Sequence, residues 1–231
     1  MKKNYQKLFL FVLSVFIFMG NFVITVERGF GSGGKTIAYE VAKKLGVPCY
    51  EQEIIKMASD WSGLGPELFE KMNAKLRGKS VSKYLNKMDE GVLALPGYRF
   101  NGTIKDENLF LYEAQIIKGL AQTESCVIVG YAANYILRKY PNVLSVNIQA
   151  PRHVCVKEIA DRFVATESEA ANQVAEIDMQ RSGFYRYFTG KEWLSYKDYD
   201  VIINSHRLGR ENCADEIIDM MQDKVKFIEG K

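Results

Sequence analysis

At 231 residues the chain is long enough for one domain with a generous core and appendages, and its 47% apolar and 26% charged residues exclude a disordered or fibrous protein. With 31 basic against 28 acidic residues the net charge is only +3, which gives no reason to expect nucleic acid or an anionic lipid surface as partner. The four cysteines, Cys49, Cys126, Cys155 and Cys213, form no CxxC pair and join no histidine cluster, so they support neither a zinc site nor a disulfide framework and fit a reducing, cytoplasmic setting.

Lys2 and Lys3 precede an apolar run from Leu8 to Phe18, the basic start and hydrophobic stretch of a signal peptide or anchor. The run reaches only Met19-Gly20 before Asn21, shorter than the roughly 20 residues of a spanning helix, and no small-x-small cleavage site follows. Three readings of residues 1–18 stand: a start placed too early, with Met19 the natural first residue; a membrane anchor, the one case in which a membrane would be a partner; and a structural extension. Residues 19–231 then make up the main domain.

Phe22 to Val26 reads as a buried strand, and the glycine-rich stretch after it leads into a helix from about Lys35 to Leu45, whose Ile37, Ala38, Val41, Ala42 and Leu45 share one face. Gly46 stops that helix, Val47 to Tyr50 is short and extended, and Glu51 to Ala58 starts another helix. From 57 to 105 six glycines break short polar segments, which reads as an insertion. An amphipathic helix at 110–121, apolar strands at 126–130 and 143–148, and helices at 154–163 and 167–188 come next. A last strand at 199–204 and a helix at 213–227 close the chain. Strands alternating with helices predict an α/β fold built on a doubly wound parallel sheet, with ligands at the carboxyl ends of the strands.

Gly29-Phe30-Gly31-Ser32-Gly33-Gly34-Lys35-Thr36 matches the phosphate-loop pattern GxxxxGK[ST] in full, between a predicted strand and a predicted helix. Glycines allow backbone angles that turn successive N–H groups inward as an anion nest, and the helix N-terminus adds partial positive charge. Gly29, Gly31, Ser32, Gly33 and Gly34 would cradle the phosphates of ATP, Lys35 would reach the β- and γ-phosphates, and the Thr36 hydroxyl would meet Mg2+. Phosphoryl transfer needs further cations around the moving group. Asp178 and Arg181, three apart on one helical face, read as an oriented guanidinium clamp, with Arg162 a further phosphate ligand. No acid stands clearly at the end of the 126–130 strand; Glu51, Glu53 or Asp178 could hold the metal through water.

The chain resembles the cytidylate kinase-like family of P-loop nucleoside monophosphate kinases over residues 21–225. The likeness rests on Ile24-Thr25-Val26-Glu27-Arg28, Phe30-Gly31-Ser32-Gly33-Gly34, Pro48 to Ile55 and Val127-Ile128-Val129-Gly130. It continues through Asp178-x2-Arg181-x3-Tyr185-x3-Thr189-Gly190-Lys191-x-Trp193 and Tyr199-Asp200-x3-Asn204-Ser205-x2-Leu208-Gly209. The resemblance implies a monophosphate-binding insertion at 57–105 and a lid at 160–195; Phe184, Tyr185, Tyr187, Phe188 and Trp193 within it belong either to the lid or to the core. It also implies a donor base beside Asn204 to Gly209, and cytidylate as preferred acceptor. The chain departs from the family where Asp-Arg-Glu becomes Glu51-Gln52-Glu53 and Gly-Arg-x-Ala-Asp becomes Gly130-Tyr131-Ala132-Ala133-Asn134, and where usual arginines become Cys155 and Glu158. Arg28, Arg99, Lys105 and Lys118 are the cations that could compensate. Two other functions therefore stand beside a monophosphate kinase: a kinase of another small metabolite, and a nucleotide-binding module without turnover.

Overall fold

The computed structural model describes residues 21–74 and 106–229; residues 1–18 and most of the expected insertion at 57–105 lie outside them. β1 (Val23–Arg28) leads through the glycine loop into α1 (Gly34–Leu45), followed by β2 (Cys49–Tyr50), α2 (Glu53–Ser62) and α3 (Pro66–Ala74). The chain resumes with α4 (Asp106–Thr123), β3 (Cys126–Val129), α5 (Ala133–Ile136), β4 (Val143–Gln149), α6 (Arg152–Phe163) and α7 (Glu167–Thr189). A 3-10 turn at Tyr196–Asp198, β5 (Val201–Asn204), α8 (Ser205–Leu208) and α9 (Arg210–Glu229) complete it.

The five strands form one parallel sheet in the order β2-β3-β1-β4-β5. The chain passes outward from β1 to β2, returns to β3 and crosses over β1 to β4, so the order reverses around β1, where doubly wound sheets open a crevice for ligands. A sheet covered on both faces buries both sets of alternating side chains. Val23, Cys126 and Ile128 accordingly join one core cluster with Ile54 of α2, Phe69 of α3 and Phe110 and Ile117 of α4. Ile24, Val26, Val127, Val129, Val146 and Ile148 face the other cluster, with Ile37 and Val41 of α1 and Ala214, Ile217 and Met221 of α9.

Local signals set the helix ends. Gly46 (φ 68°) caps α1, and its N–H reaches back to the Ala42 and Lys43 carbonyls. Thr166 and Glu169 form a capping box at the start of α7, and Gly190 (φ 73°) ends it. The structure shifts several expected boundaries: α2 begins at Glu53, not Glu51; α4 begins at Asp106; α6 at Arg152; and the last strand at Val201. The short helices α5 and α8, at 133–136 and 205–208, were not legible, because one turn carries too little periodicity to stand out.

Phe184, Tyr185, Tyr187, Phe188 and Trp193, which the sequence leaves open between a lid and the core, are all buried in the core cluster of the α4 face. Phe188 stacks on Phe110 with ring centroids 4.0 Å apart, and Phe184 meets both rings at an angle. Residues 184, 185, 187 and 188 fall on one face of α7, and an aromatic stripe of that spacing is what buries a helix. Only the amino-terminal half of α7 packs separately, on α6, through Cys155, Val156, Ile159, Ala170 and Val174.

Candidate active site

The loop from Gly29 to Gly33 joins the carboxyl end of β1 to the amino end of α1. Gly31 (φ 81°) and Gly33 (φ 79°) take left-handed backbone angles, the geometry by which consecutive N–H groups converge on an anion. Gly31 is required twice over, since a Cβ there would also stand 2.6 Å from the backbone oxygen of Cys155 on α6. Ser32 staples the loop internally: its Oγ donates to the Gly29 carbonyl at 2.8 Å and accepts from the Gly34 N–H at 3.2 Å. Ser205 of α8 fastens it from outside, its Oγ donating to the Ser32 carbonyl at 2.6 Å.

Charges of both signs converge at this end of the sheet. Lys35, with more than half of its side chain exposed, pairs with Glu51 at the end of β2, and Arg28 pairs with the same carboxylate at 3.1 Å. That contact raises the Lys35 pKa and keeps the ammonium charged. Thr36 is exposed in the first turn of α1. From α7, Asp178 accepts a hydrogen bond from the Phe30 N–H at 2.7 Å, and Arg181 donates to the Arg28 carbonyl at 3.0 Å. Burial lifts the Asp178 carboxyl above its ordinary pKa against the pull of the Phe30 N–H and Arg181. Burial and the neighbouring Arg28 lower Arg181 to about 10, still a full charge at neutral pH.

Beside the loop lies a cavity of about 390 Å³. Arg28, Lys35, Glu51 and Arg181 line its loop end, while Gln52, Glu70, Asn73, Tyr131, Phe184 and Tyr185 line the rest. Its β3 wall is strained: Gly130 (φ 85°), Tyr131 (φ 58°) and Ala132 (φ 52°) take positive φ in succession. For non-glycine residues this costs roughly 1–2 kcal/mol each and persists where surrounding contacts enforce it. Glu27, 4% exposed, accepts from Trp193 Nε1 at 3.0 Å and ties the segment after α7 to β1. Asn134, where the family carries Asp, donates to Tyr185 Oη at 2.9 Å and to the Asp198 carbonyl, a packing role rather than a ligand's.

Of the residues singled out from sequence, Gly29 to Thr36, Asp178 and Arg181 come together. Asp178 does so differently than expected: it lies 4.0 Å from Arg181 and bonds the loop N–H instead. Arg162 does not reach the loop; its guanidinium is held by Glu158 at 2.7 Å. Glu53, the first residue of α2, accepts from the Glu51 N–H at 3.0 Å. Arg99 and Lys105 lie outside the described residues. Sequence reasoning missed Arg210 of α9, which stands against Gly33 and pairs with Glu158 at 2.7 Å. The resemblance ends at Leu208-Gly209, so no motif includes Arg210, and its approach to the loop comes from tertiary packing. It also missed the buried Glu113 of α4, which accepts from Asn73 Nδ2 on α3 at 2.8 Å.

These residues fit a triphosphate with Mg2+. The loop offers converging N–H groups too closely packed at Gly31 for a Cβ, with Lys35 at its end. Mg2+ takes one or two protein oxygens together with phosphate oxygens and water, and Thr36 Oγ1 would be such an oxygen.

A crystal structure of an uncharacterized protein from Eubacterium ventriosum superposes with a TM-score of 0.60 at 22% identity, covering 87% of this chain and 98% of that one. A gluconokinase from Sinorhizobium meliloti aligns with a TM-score of 0.49 at 14% identity over 91% of this chain and 95% of its own. A shikimate kinase from Acinetobacter baumannii aligns with 0.45 at 11% identity over 90% and 97%. No curated protein sequence matches the chain. The profile of the cytidylate kinase-like family matches residues 23–207, from the first residue of β1 through α8, and so spans the loop, the cavity and α7. The chain belongs to the cytidylate kinase-like family.

Proposed function

We propose that the chain transfers the γ-phosphoryl group of ATP, bound with Mg2+ at the glycine loop, to a nucleoside monophosphate in the adjoining cavity, with cytidylate the first acceptor to test. The observation that carries this reading is the loop itself, whose left-handed Gly31 and Gly33, Ser32 staple and terminal Lys35 open beside a cavity walled by Arg28 and Arg181. In such a transfer the protein's work is positioning and charge stabilisation more than covalent chemistry. Lys35 would leave Glu51 for the β- and γ-oxygens, and Arg181, already charged and partly desolvated, would meet charge developing on the moving group. Mg2+ would shield the phosphate oxygens, held on the protein side by Thr36. The free cysteines support a reducing, cytoplasmic setting as part of the same proposal.

A second reading, a kinase of another small hydroxylated metabolite, is favoured by Gln52 and Tyr131, neutral cavity-lining side chains where the family carries arginine. An Arg that grips phosphate through two hydrogen bonds is not replaced by a neutral group without loss.

The test is a thermal-shift and calorimetric panel of ATP·Mg2+ with nucleoside monophosphates, followed by ADP release with each acceptor. The expected outcome is triphosphate binding that Lys35→Ala weakens at least tenfold, with ADP release stimulated by cytidylate. Stimulation by a metabolite instead selects the second reading, and binding without turnover for any acceptor identifies a nucleotide-binding module. Wild-type protein that binds no triphosphate overturns the proposal.

A further inference from the structure

Two of the arginines usual in the family at the helix after β4 are replaced here by Cys155 and Glu158, and the second replacement reverses the charge. An acid beside a phosphate site would weaken it unless it recruits cations, and Glu158 recruits two: its Oε1 takes Arg162 Nη2 and its Oε2 takes Arg210 Nη2, each at 2.7 Å. Burial opposes ionisation of Glu158, yet the two guanidinium groups together hold its pKa below the ordinary value.

The two arginines differ in what else they touch. Arg162 sits one turn along α6 from Glu158, an i,i+4 pair on a helix surface. Arg210 comes from the start of α9 and lies on the loop: its Nε is 2.8 Å, and its Cζ 3.3 Å, from where a Cβ on Gly33 would stand. A Cβ at 33 would force that guanidinium to shift. Ser205, five residues earlier, bonds the Ser32 carbonyl, so α8 and the first residue of α9 dock on the same loop. Arg210 carries five N–H donors, of which the ion pair with Glu158 engages one nitrogen, and about half of its side chain is exposed. A guanidinium anchored at one edge, with free donors beside an anion nest, is preorganised to grip phosphate.

We propose that Arg210, held against Gly33 by Glu158, is a phosphate-contacting residue of the donor site and supplies the positive charge missing at positions 155 and 158. The inference rests on the reading of the loop as a triphosphate site. A surface ion pair with no ligand role would contribute little to anything the ligand senses, and that difference is measurable.

The experiment titrates wild type, Arg210→Met and Arg210→Lys with ATP·Mg2+, ADP and adenosine by calorimetry, at two salt concentrations. Arg210→Met is expected to weaken ATP and ADP roughly tenfold or more, the size of a lost charge-assisted hydrogen bond, and to leave adenosine unchanged. Its ATP affinity should also depend less steeply on salt than that of wild type. Arg210→Lys should recover part of the loss, because it keeps the charge without the fork; if the Met variant does not fold, a several-fold loss of ATP affinity in the Lys variant serves in its place. Unchanged ATP affinity in a folded Arg210→Met protein, or an equal loss for adenosine, overturns the proposal while leaving the loop reading intact. A wild-type protein that binds no triphosphate overturns both.

Discussion

Glu113 sits on α4 with no exposed surface, its Oε1 accepting from Asn73 and its Oε2 without a partner among the described residues. Burial raises its carboxyl from 4.5 to about 8, outweighing the Asn73 bond, which favours the charged form. The native state therefore keeps a proton that the unfolded chain releases above pH 4.5, so stability is greatest below that pH and falls as the pH rises through about 8. At 1.36 kcal/mol per pH unit the whole difference comes to about 5 kcal/mol, and the part falling between pH 6 and pH 9 to roughly 3 kcal/mol. Glu113→Gln removes the titration and keeps an acceptor for Asn73 Nδ2. Urea unfolding at pH 6 and pH 9 reads the difference. Wild type should lose roughly 3 kcal/mol more than Glu113→Gln across that interval, on the order of a quarter of the stability of an ordinary domain. Parallel losses in the two proteins would refute the argument, since they would mean that Glu113 is ionised or hydrated in the native state at pH 6.

Two further perturbations act on the loop. Gly31→Ala places a methyl group 2.6 Å from the Cys155 carbonyl oxygen at a left-handed φ; it should lower stability by about 1–3 kcal/mol and triphosphate affinity more than tenfold, and calorimetry showing wild-type affinity would contradict the packing. Asp178→Asn keeps an acceptor for the Phe30 N–H but removes a negative charge beside the phosphate site. Triphosphate should then bind roughly threefold more tightly in dilute buffer, with the gain fading as salt rises; an affinity unmoved at low salt would mean that this carboxylate does not oppose the ligand's charge.

The parts of the site legible in the sequence are those whose chemistry is local. Gly29 to Thr36 lies on one strand–loop–helix unit, and its glycines are dictated by backbone angles that only adjacent residues set. Asp178 and Arg181 were legible as a pair because three residues make less than one helical turn. Their partners were not, since the Phe30 N–H and the Arg28 carbonyl lie about 150 residues away in the chain. The aromatic run from Phe184 to Trp193 was visible, but its packing depended on where α4 lay: Phe188 stacks on Phe110, while Phe184 and Tyr185 also line the cavity.

The sequence by itself determined that this chain is an α/β protein with a phosphate loop between β1 and α1, because hydrophobic period, glycine spacing and helix caps are short-range properties. Only the tertiary structure decided that Glu51 holds Lys35 and Arg28, that Glu158 holds both Arg162 and Arg210 while Arg210 lies on Gly33, and that the buried Glu113 accepts from Asn73. The order β2-β3-β1-β4-β5 is the physical reason, since it gathers the carboxyl ends of β2, β3, β1 and β4 at one edge and brings into contact charges that no pattern along the chain connects.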